Sequence, residues 1–340
     1  MGLTAALVGC GRMGQCHADV VSRLGIKLIA VADPVESSRT RFLDMWSGTS
    51  VEEFKSLRLL LNHIVPDLLL IASTADAHAD LAVQAIESGV KMIFLEKPIV
   101  TSLRQSNCLL NACSSMGARI AVNHQMRFLP QYTIPKKLLN TDAYGGLQSM
   151  NVAAGNFGMA MNGTHYFEAF RFLADESPAS VSAWFDSEVL PNPRGPQFLD
   201  VSGCVRVTTN SGRRLYIDAS CNQGHGVEVT YMARNGRITI DELTGAMTTV
   251  VRKPEHRDAL TNRYGMPVNI KTSRMPAVEL VESTKSVLEA LLAGQNYPTI
   301  ADGTLAIKTL IAAYHSHRSG GVAVSLASLS DDDSEIFPWA

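Results

Sequence analysis

The first 123 residues alternate short, wholly apolar runs with longer amphipathic stretches. Ala5-Ala6-Leu7-Val8, Leu28 to Ala32, Leu68 to Ala72, Met92 to Leu95 and Ile120 to Val122 show no polar face, as strands covered by helices on both sides should. Between the third and fourth runs, Ala79, Ala82, Val83 and Ile86 recur at helical spacing, and Gly89 is placed to stop that helix. The alternation predicts an α/β fold that opens on a doubly wound parallel sheet. After residue 124 the texture changes. A helix near Lys136 to Leu139 ends by Gly145-Gly146, an alternating run covers Leu147 to Asn156, and a second helix covers about Thr164 to Leu173. Strands are expected at Val201 to Thr208, Arg214 to Cys221, Val227 to Ala233 and Arg237 to Ile240, with turns at Gly212 and Asn235-Gly236. Helices near 277–293 and 302–317 close the chain. This second part reads as an α+β domain on a mostly antiparallel, open sheet. The expected division is 1–123, 124–328 and a solvated acidic tail, 329–340, containing Asp331-Asp332-Asp333.

A length of 340 residues fits two domains of ordinary size. With 30 basic and 32 acidic residues the chain carries no electrostatic footprint for nucleic acid or an anionic membrane. Its apolar runs are strand-sized, far short of a membrane span. The N-terminus enters a strand at once, without a basic region or cleavage site, so no secretory signal is read. Six cysteines (10, 16, 108, 113, 204 and 221) form no CxxC pair and no zinc spacing with histidine. They read as reduced thiols of a cytoplasmic protein, mostly packing residues, with no metal expected.

The chemistry begins at Gly9, Cys10, Gly11, Arg12, Met13 and Gly14, between the first apolar run and a helix. Glycines at this spacing allow a tight turn, close approach of the backbone to a pyrophosphate, and close helix–strand packing, with the helix N-terminus facing the phosphates. Asp33, 24 positions after Gly9 and at the end of the second strand, is placed to accept hydrogen bonds from an adenosine ribose. Its charge repels a 2′-phosphate, so NAD is the expected cofactor and the opening domain a Rossmann domain. Arg39 and Arg41, on the following helix, are expected to face solvent. Glu96-Lys97-Pro98 ends the strand Met92 to Leu95, on the sheet edge that faces ligand. Partial desolvation there would lower the pKa of Lys97, and Pro98 restricts its backbone or is itself cis. A salt bridge of Lys97 with Glu96 is the alternative.

The series GCGRMG, VADP, STADAHADLAVQAIESG, LEKP, NHQMRFLP and NGTHYFEAFRFL resembles the glucose-fructose oxidoreductase/inositol dehydrogenase/MocA family, in order, over roughly the first half of the chain. The resemblance implies an NAD(P)-dependent dehydrogenase or reductase of sugars, sugar nucleotides or cyclitols. It implies that Lys97 is catalytic and that Ser73, Thr74, His78 and Glu96 lie along the cofactor. It places Arg127 near the substrate, with an interdomain salt bridge as the alternative. It also matches His165 to the family's proton-carrying histidine. That role suits an imidazole near neutrality, and a position in the first helical turn, capped by Asn162 or Thr164, would keep the ring neutral. Tyr166, Phe170 and Leu173 form the apolar face of that helix. Members resembling inositol dehydrogenase carry an aspartate four residues before the histidine, where this chain has Met161; Glu168 is a turn beyond. Asn156 and Asn162 are further candidates for substrate contact.

The expectation is hydride transfer between NAD(H) and a hydroxyl or ketone of a small sugar-like or cyclitol substrate, in a homodimer or homotetramer. Two other readings stay open at this point: an NAD-dependent glycosidase acting by transient oxidation, and a non-catalytic NAD-binding regulator.

Overall fold

The computed structural model describes residues 2–46, 50–260 and 265–340. The chain divides into two compact units, residues 1–125 with 278–307 and 330–340, and residues 126–277 with 308–329.

The first unit is a six-stranded parallel sheet. Its elements are β1 (Thr4–Val8), α1 (Arg12–Arg23), β2 (Lys27–Ala32), α2 (Glu36–Met45), β3 (Glu52–Phe54), α3 (Leu57–His63), β4 (Leu68–Ile71), α4 (Ala75–Glu87), β5 (Met92–Leu95), α5 (Leu103–Met116) and β6 (Arg119–Val122). The order β3-β2-β1-β4-β5-β6 reverses between β1 and β4, the switch point beside which open α/β sheets bind ligand. All four residues of β4 are fully buried. Each such apolar side chain contributes roughly 1.5–3 kcal/mol of transfer free energy, which explains the absence of polar positions in these runs. α4 stops as the sequence suggests, with Gly89 at φ +100° just beyond its end.

Two expectations fail here. Arg39 does not face solvent: it is buried, donating from Nε to Glu53 Oε2 at 2.8 Å and from Nη1 to the Asp33 carbonyl at 2.8 Å. The acidic run ends in a docked segment rather than a solvated one, since Phe337, Trp339 and Ala340 are buried. Charge at Asp331 to Asp333 masked the aromatic pair that follows.

The second unit comprises α6 (Pro130–Leu139), β7 (Leu147–Ala154), α7 (Thr164–Ala174), β8 (Pro178–Phe185), β9 (Gly203–Thr209), β10 (Arg214–Ala219), β11 (Glu228–Ala233), β12 (Gly236–Asp241), β13 (Ala246–Arg252) and β14 (Val268–Arg274). The chain then forms α8 (Leu280–Ala293), α9 (Ile300–Arg318) and β15 (Val324–Ser325). The sheet order is β14-β13-β12-β11-β7-β10-β9-β8-β15, antiparallel except for β7 with β10. Alternation places Val205, Val207, Leu215 and Ile217 on the buried face and Arg206, Tyr216 and Asp218 on the other. α7 packs on β7 over the buried face. α8 groups with the first unit, packing on α1, β5 and β6, whereas the sequence pattern assigns it to the second domain. Among the described residues, no helix is long and apolar enough to cross a membrane. All six cysteines are free; Cys108 and Cys204 are exposed, so packing accounts for only part of the set.

Candidate active site

In the first unit, Gly9, Asp33, Ser73, Glu96 and Asn123 all follow strand ends on the same carboxyl edge of the sheet. Gly9 turns the chain at φ +93°, and a Cβ there would sit 2.5 Å from the Ala72 carbonyl oxygen. A Cβ on Gly14 would lie 1.9 Å from the Gly9 carbonyl oxygen, so α1 approaches the turn only because residue 14 is glycine. Gly11 differs: a Cβ would enter open space, so no protein atom demands a glycine there. A pyrophosphate approaching this turn would, and the N-cap residue of α1, Gly11, offers no capping side chain. The loop Gly9 to Gly14 therefore fits a dinucleotide. Cys10 is part of its frame, donating its N–H to Asp33 Oδ2 at 2.9 Å. Burial, with Asp33 beside it, pushes the Cys10 thiol up to about 12. Asp33 Oδ1 accepts the Val35 N–H at 2.8 Å. A carboxylate offers about four acceptor positions, so ribose hydroxyls can still be accommodated.

Glu96 is buried behind this edge. His17 Nε2 donates to Oε1 at 2.9 Å, the Asn123 amide donates to the same oxygen at 2.7 Å, and the Lys97 N–H lies 3.3 Å from Oε2. Burial alone raises the Glu96 carboxyl, but the hydrogen bond and charge of His17, the Lys97 ammonium and the Asn123 amide outweigh it, lowering the pKa to about 2. His78 is also wholly buried, its ring nitrogens 2.8 Å from the Pro98 carbonyl oxygen and 3.1 Å from that of Ser73. Burial holds its pKa below the ordinary value. Glu96 and His78 thus fix the turns that carry Lys97 and Ser73. Their polar atoms are engaged by protein groups. Ser73 and Thr74 remain half-buried at the start of α4, Lys97 is half-buried, and the Lys97–Pro98 bond is cis. His17 and Asn123 escaped the sequence analysis; a histidine on the buried face of α1 is a signal that packing alone also explains.

In the second unit, a cavity of about 310 Å³ brings Asn156 and Asn162 together with Met126, Tyr166 and His225. Tyr166 donates to Glu242 Oε2 at 2.8 Å, and Tyr132 donates to Oε1 of the same carboxylate. Burial raises the Glu242 carboxyl, and the two phenols partly offset this. Arg127 contacts the buried Glu168, which also accepts from Arg171 at 3.2 Å. Arg127 and Glu168 both lie in the second unit.

His165 is buried in α7, but the helix start differs from expectation. A π-helical turn, Met159–Gly163, runs directly into α7, and neither Asn162 nor Thr164 caps it. Thr164 Oγ1 instead donates back to the Ala160 carbonyl at 2.8 Å. Asp200 accepts the N–H groups of Ala160 and Met161 at 2.7 and 2.8 Å. His165 consequently lies past the first turn, and a carboxylate already meets the positive helix end. His165 therefore does not face an unopposed positive helix end. Asp200, remote in sequence from the helix it caps, carries no local signal.

A parallel 3-2-1-4-5-6 sheet with a Gly-rich turn fitted to a pyrophosphate and an acidic second strand end defines an NAD-binding oxidoreductase domain. Residues 3–124 match the GFO_IDH_MocA model, the oxidoreductase family with an NAD-binding Rossmann fold. That match places residues 3–124 in the NAD-binding Rossmann fold of this oxidoreductase family. The chain is similar to scyllo-inositol 2-dehydrogenase (NAD(+)) of Bacillus subtilis, 25% identical over 269 residues that cover 72% of this chain and 76% of that protein. An oxidoreductase from Agrobacterium radiobacter, solved with NAD+, L-tartaric acid and magnesium, superposes at a TM-score of 0.79 with 17% identity, covering 96% of this chain and 99% of that one. The transcriptional regulator Gal80p of Kluyveromyces lactis also reaches 0.79, at 10% identity, covering 96% and 92%. At such identities these two likenesses establish the fold alone.

Proposed function

We propose that the protein transfers a hydride between NAD(H) and a CH–OH group, or the matching ketone, of an uncharged ring polyol such as a cyclitol or simple sugar. The lining of the second unit's cavity carries this reading. Its polar side chains are Asn156, Asn162, Tyr166 and His225, and among the described residues no lysine, arginine or carboxylate lines it directly. Amide and phenol groups exchange hydrogen bonds with hydroxyls, whereas a diphosphate calls for cationic forks. A volume of about 310 Å³ is also at the small end of ligand sites, suited to a single ring. The scyllo-inositol activity named for the Bacillus relative is consistent with this class.

NAD, when bound along Gly9 to Gly14 and Asp33, supplies the hydride acceptor or donor. Lys97 donates a hydrogen bond to the substrate oxygen and favours its carbonyl form as a target for reduction. His165 takes the hydroxyl proton in oxidation and returns it in reduction, a role for which imidazole is the usual side chain. Association into a homodimer or homotetramer belongs to the same reading. It is supported by Trp184 and Tyr216, exposed on the solvated face of the large sheet. Light scattering of the purified protein tests it.

The activity test is NADH formation from NAD+ with scyllo-inositol, myo-inositol, glucose, UDP-N-acetylglucosamine and a nitrophenyl glucoside. Turnover of a free ring polyol is expected. Preferential oxidation of the nucleotide sugar overturns the neutral-ring reading, and glucoside cleavage without net NADH makes the protein a glycosidase.

A further inference from the structure

The turn that carries Lys97 is held at four places by four different parts of the first unit. Glu96 is fixed by His17 from α1 and Asn123 from the end of β6, and the Pro98 carbonyl is met by His78 from α4. The fourth anchor comes from the end of the chain. Trp339 is wholly buried and donates its indole N–H to the Val100 carbonyl at 3.0 Å, while the Phe337 N–H donates to the Thr101 carbonyl at 3.0 Å. The two rings stack at 4.8 Å. Upstream, the Arg104 N–H donates to the Asp333 carbonyl at 2.9 Å, and Asn107 donates to Asp332 at 3.1 Å.

The six-stranded sheet is complete without this segment, which adds no strand to it. Ile99 and Val100 are fully buried, and the start of α9 lies against Ile99 at Gly303. The tail closes over the backbone that follows Lys97. We propose that residues 330–340 act as a strap and that Trp339 is a positioning residue for Lys97, setting where its ammonium stands. The proposal rests on Lys97 being the residue that acts on the substrate oxygen. A displacement of about 1 Å at a reacting group can cost on the order of a hundredfold in rate, so a strap of this kind has a kinetic as well as a packing consequence.

The test uses Trp339→Phe, which keeps an aromatic ring but removes the N–H donor to Val100. The lysines of the full chain are labelled by reductive methylation with ¹³C, and the Lys97 signal is identified by its loss in Lys97→Arg. In Trp339→Phe the Lys97 signal should move and its titration midpoint should shift. The other lysine signals should stay in place and NADH affinity should remain within about twofold. At a temperature where the melting curve shows Trp339→Phe fully folded, so that no unfolded fraction contributes, kcat should fall roughly tenfold or more with little change in KM. Should Trp339→Phe fail to melt cooperatively, Phe337→Leu serves instead. It breaks the ring stack while keeping the N–H to Thr101, and should move the same signal less. A Lys97 signal and titration curve superimposable on the parent's overturn the strap, even where Lys97→Ala is inactive. An active Lys97→Ala enzyme removes the catalytic reading of Lys97 instead.

Discussion

Asp200 Oδ2 accepts the main-chain N–H of Met161 at 2.8 Å. A carboxylate therefore rests on the backbone of Met161, the position at which the resemblance to inositol dehydrogenase-like proteins implies an aspartate. Its second oxygen takes the Ala160 N–H, so one side chain satisfies two amides at the start of the π turn that leads into α7.

Asp200→Ala should consequently cost about 1–2 kcal/mol of stability, the range of a lost helix cap, with Asp200→Asn losing less because one acceptor remains. Urea unfolding at constant m reads the difference. Equal midpoints for parent and Asp200→Ala would show that solvent replaces the carboxylate at no cost.

Cofactor preference follows from the surroundings of Asp33. Arg39, the nearby cation that could have met a 2′-phosphate, is committed to Glu53 and to the Asp33 carbonyl. NADH should bind at least about tenfold more tightly than NADPH, a difference of only about 1.4 kcal/mol that one misplaced charge supplies. Titration calorimetry with both nucleotides checks this, and equal affinities contradict it.

Five strands of the first unit were legible because they are apolar on both faces, and its glycines have single geometric uses; β3, short and mostly exposed, carries no such signal. β14 went unread because all seven of its residues are exposed and show no periodicity. β8 and β13 went unread as individual strands in the antiparallel half, where no turn pair as strong as Asn235-Gly236 flanks them. In the site, Asn156 and Asn162 were readable as polar residues beside a strand end and a helix start, and they do share a cavity. His17, Asn123 and Asp200 were not, since each acts through a partner at least 27 residues away. Only the fold creates those contacts. Arg39 is the converse case: a charge on a helix reads as solvated, yet Glu53 in the middle of β3 supplies its carboxylate and Asp33 its carbonyl.

Lys97→Ala should abolish turnover while leaving NADH affinity within about threefold, because the pyrophosphate is assigned to the backbone of the Gly9 to Gly14 loop. Nicotinamide fluorescence and steady-state rates separate the two. Parallel loss of binding would recast Lys97 as part of the cofactor site.

Glu96 gives a pH signature. Its folded pKa, about 2, lies below the ordinary 4.5, so its ionised form stabilises the fold above about pH 4.5. That contribution is lost as pH falls from about 4.5 toward 2. The stability gap between the parent and Glu96→Gln should accordingly be widest near pH 5 and narrow through that window, by chemical denaturation. A gap independent of pH there would mean that hydrogen-bond geometry rather than charge is what the site uses.

The last expectation concerns restoring an aspartate at residue 161. His165→Asn should lower kcat by roughly 10²–10⁴ if the ring carries the proton. Met161→Asp alone should gain nothing. Covalent geometry keeps the new carboxylate within about 8 Å of Asp200, and the repulsion, on the order of 1 kcal/mol, favours its protonated form. Replacing Asp200 by asparagine at the same time removes the competing charge and keeps an acceptor for the turn. Met161→Asp combined with Asp200→Asn should then raise the oxidation rate at alkaline pH, where an ionised neighbour can orient the imidazole, and adding His165→Asn should erase the gain. Steady-state kinetics in both directions on this set decide the matter. If Met161→Asp alone matches the double variant, Asp200 exerts no charge on the site and is a cap only. If His165→Asn leaves kcat unchanged, the proton travels by another group and this histidine belongs to the packing of α7.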